Sequence, residues 1–277
     1  MEAQASSAEH SIIPHFINSV SETLLITLYA RAVESRRRDA LLVDPIAEHM
    51  IDQLDYDFSH FDKKNTQTAV AIRARYFDDN AMYFIQSNKD AHIISLGSGL
   101  DTRNHRLLDQ GYRAAQFIDV DFADVIASRA KLIPAMDNNL MIPTSALNNQ
   151  WMQDLSAQLD GKPVFIIAEG LFMYLTHQQI QQLLNDLQTY FPNAQLLFDA
   201  TVPWYSKMKQ ETVRHTHASF ASGISRPMKF GYENDMKLIA ARNVWQLYPN
   251  RWGLLGKVAQ FIRPLRNVHQ FLLYQFH

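Results

Sequence analysis

The stretch "HIISLGSGLDTR", residues 92–103, sets two glycines, a hydroxyl, an acid and a cation directly behind a short apolar run. Glycine has no Cβ, so Gly97 and Gly99 at the end of a strand let a ligand come close to the backbone. In open parallel sheets, ligands sit beyond the carboxyl ends of the strands. A plain tight turn is the other use of an isolated Gly-x-Gly. The dinucleotide fingerprint needs a third glycine, and Thr102 stands in its place, so a pyrophosphate cradle is not completed. A second apolar run, "AAQFIDVD", closes on Asp119 and Asp121. A carboxylate at that point suits the paired hydroxyls of a ribose. The combination describes a nucleoside without a pyrophosphate, and S-adenosyl-L-methionine is the common cofactor of that type. Asp119 and Asp121 lie two apart and point to the same side of a strand, so the choice between them is open. Asp101 also reads two ways, as part of the glycine loop or as a favourable acid in the first turn of the next helix.

These residues need a frame, and the surrounding pattern supplies one. From "AHIISLG" onward, apolar strand candidates alternate with helical ones: "TRNHRLLDQG", "AAQFIDVD", "ADVIASRAKLIPA", "NNLMIPTSA", "QWMQDLSAQLDG", "KPVFIIAEG", "THQQIQQLLNDLQTYFP" and "AQLLFDAT". Thr176 is a natural N-cap. Such alternation predicts an α/β fold with a doubly wound, mostly parallel sheet, covered on both faces. Later strands are expected at "NVWQLY" and "QFLLYQF". Upstream, helices are expected over Val20–Val33, over Ile46–Leu54 behind Asp44-Pro45, and over residues 68–88. The expected organisation is an N-terminal helical segment, 1–90, packed on a core, 91–277. Residues 201–240 fit no clean period and read as a lid insertion.

The bulk figures agree with one large soluble unit. The chain has 277 residues, 47% hydrophobic and 19% charged, with a net charge of −2. That charge implies no general affinity for nucleic acid or anionic membrane. The absence of cysteine removes disulfides, thiolate nucleophiles and thiolate metal sites. The first residues lack a basic region followed by a long apolar run, so no signal peptide is expected, and the default location is cytoplasmic. His215 and His217 in "RHTHASF" are two apart, which suits no zinc signature, and no metal is expected.

"LGSGLDTR", "IDVDFADVIASRAKLI" and "AEGLFMYL", with "YARAVESRRRDALLVDPIA" and "AIRARYFDD", resemble the leucine carboxyl methyltransferase and tetracenomycin-type polyketide O-methyltransferase family. The resemblance runs over about residues 25–200, in order. It implies a seven-stranded Rossmann-like methyltransferase core that binds S-adenosyl-L-methionine and moves its methyl to a carboxylate or hydroxyl, of a small molecule (polyketide-like among the options) or of a protein carboxylate. It places Gly97, Gly99 and Asp101 under the cofactor and favours Asp121 as the ribose acid. It gives the helix before the first strand an arginine for the cofactor's carboxylate; Arg73 is the candidate and Arg75, on another helix face, the competitor. It puts the acid of "AEGLFMYL", Glu169, at the centre of the cleft, with Tyr174 lining it. At the third strand end many relatives carry an acid toward adenine; here Ser145 takes that place, with Leu147 against the ring. A basic N-terminal segment closing the site makes Arg31 a candidate, though Arg31 and Glu34 also fit a helix pair.

The catalytic candidates are therefore Glu169, Tyr174 and His215. Substrate candidates are Arg31, Trp204, Arg214, His217 and Arg226, with Tyr205 as a further flat surface. A carboxylate acceptor is already ionised near neutral pH and needs no base, whereas a phenol, with a pKa of about 10, does. No residue announces itself as that base, although His215, His217 and Glu169 are options, and the reading tilts toward a carboxylate. The methyl acceptor is expected to be a small molecule. Two rivals remain: a non-catalytic nucleoside-binding protein, and a nicotinamide-dependent oxidoreductase. The second is disfavoured by the missing glycine, and its Tyr-x-x-x-Lys spacing occurs only as Tyr205–Lys209 in an ill-patterned segment.

Overall fold

A computed structural model of the chain describes residues 23–206, 222–253, 258, 261–262 and 267–277. Helix α1 (Leu24–Ser35) is followed by α2 (Pro45–Gln53), which starts on Pro45 with the Asp44 carboxylate accepting the Ala47 N–H at 3.0 Å. The long α3 (Lys64–Ser87) then leads into the sheet. The core follows as β1 (His92–Leu96), α4 (Arg103–Asp109), β2 (Gln116–Asp121), α5 (Ala123–Leu132), β3 (Asn139–Pro143), α6 (Gln150–Leu159), β4 (Val164–Ala168), α7 (His177–Tyr190) and β5 (Gln195–Thr201). After β5 come a single turn, α8 (Pro203–Ser206), then α9 (Pro227–Glu233), β6 (Met236–Asn243) and β7 (His269–Phe276). Thr176 caps α7 in a reciprocal capping box with Gln179.

The seven strands lie in the order β3-β2-β1-β4-β5-β7-β6. The first five are parallel, and β7 runs antiparallel to both β5 and β6. Strands β1 and β4 are buried at every position, as a sheet covered on both faces requires. One face packs Ile94, Ile118, Ile166 and Leu196 on α6 and α7 through Trp151, Met152, Leu183 and Leu187. The other packs Ile93, Phe117, Phe165 and Leu197 on α3 through Phe77, Ala81 and Phe84. Helices α1 and α2 form a third apolar cluster with Leu100 of the glycine loop, so the N-terminal helices sit on the end of the sheet where the strands finish.

One strand lies elsewhere than expected. The strand read at "NVWQLY" is instead Met236–Asn243, and Val244–Gln246 is a 3-10 turn. Strand β6 is a sheet edge with alternate positions exposed, and its register shifts between Leu238 and Ala240. That irregularity breaks the period-2 pattern from which the strand would have been read. The C-terminal part of the expected 201–240 insertion is therefore sheet.

Candidate functional site

A cavity of about 540 Å³ opens at the carboxyl ends of β1, β2, β4 and β5, beneath α1 and α3. Its floor is the loop after β1. Gly97 and Gly99 have φ of 62° and 51°, in the region that favours glycine. The loop is held from below: Gly97 N–H donates to Val120 O at 2.8 Å, and Arg129 Nη1 donates to Gly99 O at 2.7 Å and Asp101 O at 2.8 Å. A Cβ on Gly99 would stand 2.6 Å from Leu24 Cδ2 of α1. Gly99 thus makes room first for the N-terminal helix, where the sequence suggested room for a ligand.

The structure separates the two acids of β2. Asp119 is spent on scaffold, accepting from Arg129 Nη2 at 2.6 Å, Asn139 Nδ2 at 3.0 Å and Asn104 Nδ2 at 3.1 Å. Asp121 lines the cavity, accepting the N–H groups of Gly99 at 2.7 Å and Phe122 at 2.8 Å. Burial pushes its pKa up, against those two backbone bonds. Each carboxylate oxygen retains acceptor capacity toward the cavity. Ser98 Oγ, on the same lining, is buried with no hydrogen-bond partner among the described residues. A buried unpaired hydroxyl is costly, and at a cavity wall it marks where a polar ligand group is accommodated.

The charged side chains form a continuous lattice behind the lining. Arg73, on α3, donates from Nε to Glu169 and from Nη1 to Asp199, each at 2.9 Å. Burial acts to lower the Arg73 pKa, and Asp199 and Glu169 outweigh it and raise it. Glu169 takes a second guanidinium at 2.5 Å from Arg103, which also binds Asp78 at 2.8 Å and Asp101 at 2.7 Å. Arg106 joins Asp78, Asp101 and Asp44, and Arg31 joins Asp44 at 2.9 Å and Leu100 O at 2.6 Å. Asp101 lines the cavity and also accepts the Arg103 N–H at the start of α4. Burial would raise its pKa, but Arg103, Arg106 and Arg31 hold it well below the usual carboxylate range. A lattice so fully paired fixes the loop, at the cost of desolvating every charge in it.

The cavity gathers Arg31, Arg73, Gly97, Gly99, Asp101, Asp121, Glu169 and Tyr174 of the residues picked out above. Arg31 does not pair with Glu34, which instead meets Arg251 and Arg37. Arg75 is turned away from the cavity, onto Asp79 and Leu41 O. Burial raises the Tyr174 pKa, so its phenol stays protonated and suits donation rather than proton removal. Ser145 and Leu147 are not on the lining: Ser145 Oγ accepts from Leu147 N–H at 3.2 Å, and Leu147 packs on the core. Trp204 and Arg226 are also absent from it; both are exposed, and Arg226 directly precedes α9. Arg214, His215 and His217 lie outside the described residues, as does the side chain of Tyr205.

Several lining residues escaped the sequence reading. Phe122, next to Asp121, is 46% exposed and lines the cavity. Val244, Trp245, Trp252, Val268 and His269 also line the cavity, the two tryptophan rings inclined at 51° with centroids 4.5 Å apart. His269 Nε2 lies 2.7 Å from Asp199 Oδ2. Among the described residues, no group of side chains is arranged to hold a metal ion, and no helix is long and apolar enough to cross a membrane.

Comparison with known proteins bears on this geometry. Residues 24–188 match the family model for leucine carboxyl methyltransferase. The chain is 31% identical over 274 residues to the tetracenomycin polyketide synthesis O-methyltransferase TcmP of Streptomyces glaucescens, covering 94% of this chain and 98% of that protein. It is 30% identical over 201 residues to the S-adenosyl-L-methionine-dependent methyltransferase dpfgK of Gibberella zeae, covering 66% and 67% of the two chains. The crystal structure of a DUF574 family protein from Streptomyces avermitilis superposes with a TM-score of 0.58 at 12% identity, covering 94% of this chain and all of that one.

Proposed function

The chain belongs to the leucine carboxyl methyltransferase family, and from that premise we propose that its cavity moves a methyl group from S-adenosyl-L-methionine to an oxygen of a small organic acceptor. The protein is an S-adenosyl-L-methionine-dependent methyltransferase; the oxygen and the small acceptor are the finer reading, supported by the relation to TcmP. The observation that carries the reading is the set Asp121, Ser98 and the Gly97–Gly99 loop on one cavity wall. These residues fit the cofactor: an acceptor pair for two ribose hydroxyls, an unpaired buried hydroxyl, and a backbone that permits close approach.

S-adenosyl-L-methionine supplies an electrophilic methyl on sulfur when bound. The chain then has to bind, align and exclude water. Asp121 holds the ribose, and Phe122 offers its ring to the adenine. Arg73, with its Nη2 facing no described carboxylate, takes the methionine carboxylate, while Glu169 and Asp199 fix its plane. Glu169 acts through the guanidinium groups it orients. The N-terminal helices α1–α3 serve as a cover on the sheet, with Leu24 against Gly99 and Arg31 on Leu100 O as their fastenings. Trp245 and Trp252 offer ring contacts to an apolar acceptor.

The test is transfer of radiolabelled methyl from S-adenosyl-L-methionine to a panel of aromatic acids, phenols and arylamines. The reading expects label in alkali-labile esters or stable aryl ethers. Label confined to the amines would overturn the assignment to oxygen.

A further inference from the structure

Helix α1 carries two fastenings, one turn apart, that lead to different parts of the cavity. Arg31 reaches Asp44 at 2.9 Å and Leu100 O of the glycine loop at 2.6 Å. Three residues on, the Glu34 carboxylate accepts from Arg251 and from the Leu41 N–H, the latter at 2.7 Å. The side chains of Glu34 and Arg251 are only 5% and 12% exposed. Arg251 also donates to Asp39 O at 3.0 Å and meets the Asp39 carboxylate at 2.7 Å, but the Asp39 side chain is 66% exposed and water screens that pair. The tie to Glu34 is the stronger constraint, because a carboxylate out of water and stripped of its guanidinium is costly.

Arg251 closes the 3-10 turn Pro249–Arg251, and the next residue, Trp252, is on the cavity lining. The Trp252 indole N–H donates to Val244 O at 3.2 Å and to Leu247 O at 3.3 Å, and its ring centroid lies 4.5 Å from that of Trp245. Residues 244–252 thus hold together as one unit, with Val244, Trp245 and Trp252 facing the cavity. Tyr248 of this unit hydrogen-bonds Arg75 and Asp79 on α3, a helix packed on the sheet. The Arg251–Glu34 tie runs instead to α1, whose Thr23 neighbour, Leu24, Ile26, Thr27 and Arg31 line the cavity. A ligand moves an equilibrium only through groups it touches differently in the two states. A cofactor in the cavity touches α1 only while the helix is seated, so it favours the seated helix.

We propose that α1 couples the cofactor end of the cavity to the Trp245–Trp252 end, with Arg251 as the positioning residue that receives the coupling. The proposal rests on the methyltransferase reading above. The cofactor seats α1 against Gly99 and Leu100, the seated helix presents Glu34, and Glu34 holds Arg251 and with it residues 244–252. From Leu24 to Glu34 the helix carries this over about 15 Å. The two tryptophans are then set for the acceptor once the cofactor has bound, which makes addition ordered, cofactor first. Coupling between sites is reciprocal, so an acceptor on that surface tightens the cofactor in turn.

The test is hydrogen exchange, read by mass spectrometry on the full chain, free and with S-adenosylhomocysteine at about 100 times its Kd. At that excess, a ligand released on opening slows exchange through that opening by about 100-fold. In wild type, residues 24–35 and 244–252 should both slow by at least about tenfold. In Arg251→Gln the slowing of 24–35 should remain and that of 244–252 should fall below about twofold, and Arg251→Lys should recover part of it. Glu34→Gln keeps the side-chain shape and the acceptor for the Leu41 N–H, so it carries the same test should Arg251→Gln fail to fold. Tyr248→Phe is the control for general loosening: residues 244–252 should exchange faster with and without ligand, yet keep their ligand-dependent slowing. Slowing of 244–252 as large in the Arg251 and Glu34 variants as in wild type would mean that the ligand touches the segment itself, and would overturn the proposal. So would slowing of 24–35 alone, or of neither segment, in wild type that binds the ligand. Failure of calorimetry to show S-adenosylhomocysteine binding would instead overturn the methyltransferase reading of the cavity.

Discussion

Replacing Arg73 with methionine removes the guanidinium that Glu169 and Asp199 share. Both contacts are at 2.9 Å, and Asp199 is wholly buried. Breaking a buried ion pair by deleting one partner costs about 3–5 kcal/mol, because the other charge stays in place. Asp199 keeps His269 and the Gly170 N–H, and Glu169 keeps Arg103, so the low end applies, about 3 kcal/mol. In a large domain each kcal/mol moves Tm by about 2–4 °C, giving a fall of about 6–12 °C. The loss depends on pH with a definite sign. The folded-state pKa of Asp199 is depressed from 3.8, so its stabilisation is full above that value and is lost as pH falls through the folded one. Without Arg73 that depression weakens, Asp199 protonates sooner, and the gap between variant and wild type narrows toward pH 4. Urea unfolding at pH 7 and pH 4 measures both effects. The double variant Arg73→Met/Asp199→Asn should recover most of the loss, since neither charge is then stranded. A loss below about 1 kcal/mol at pH 7, or a double variant no better than the single, would refute the view of Arg73 as the clamp of this lattice.

The two acids of β2 should separate on cofactor binding. Asp121→Ala removes an acceptor for two hydroxyls, each worth about 1.5–3 kcal/mol, so Kd should rise at least tenfold by calorimetry, whereas Asp119→Ala should mainly lower Tm; the reverse pattern would move the ribose to Asp119. Gly99→Ala should weaken both stability and binding, because its Cβ meets Leu24 and its φ is 51°. Leu24→Ala in the same chain should relieve the clash but leave the backbone strain, about 1–2 kcal/mol, and a double variant as impaired as Gly99→Ala alone would place the obstruction elsewhere.

The parallel core was legible because fully buried strands read as unbroken apolar runs between turn signals, as in "VFIIA" and "HIISL". The glycine loop and Glu169 were legible for a related reason: chemistry placed against an apolar run stands out. The strand pattern alone left Asp119 and Asp121 open, since both face the same side; the resemblance favoured Asp121, and Arg129, Asn139 and Asn104 take up Asp119. His269 was invisible for want of a local signal. Its partner Asp199 is seventy residues away, and only the antiparallel return of β7 joins them. The bases in view in the sequence were Glu169, which two guanidinium groups occupy, and two histidines outside the described residues. The place of Trp245 at the cavity was hidden by reading a strand where the chain turns.

Calorimetric titration of the full chain with S-adenosyl-L-methionine, S-adenosylhomocysteine and NAD tests the central claim most directly. The cavity with Asp121, Ser98 and a two-glycine loop predicts saturable binding of the first two in the micromolar range, one per chain, and none of NAD. Binding of NAD, or of neither S-adenosyl compound, would contradict the account.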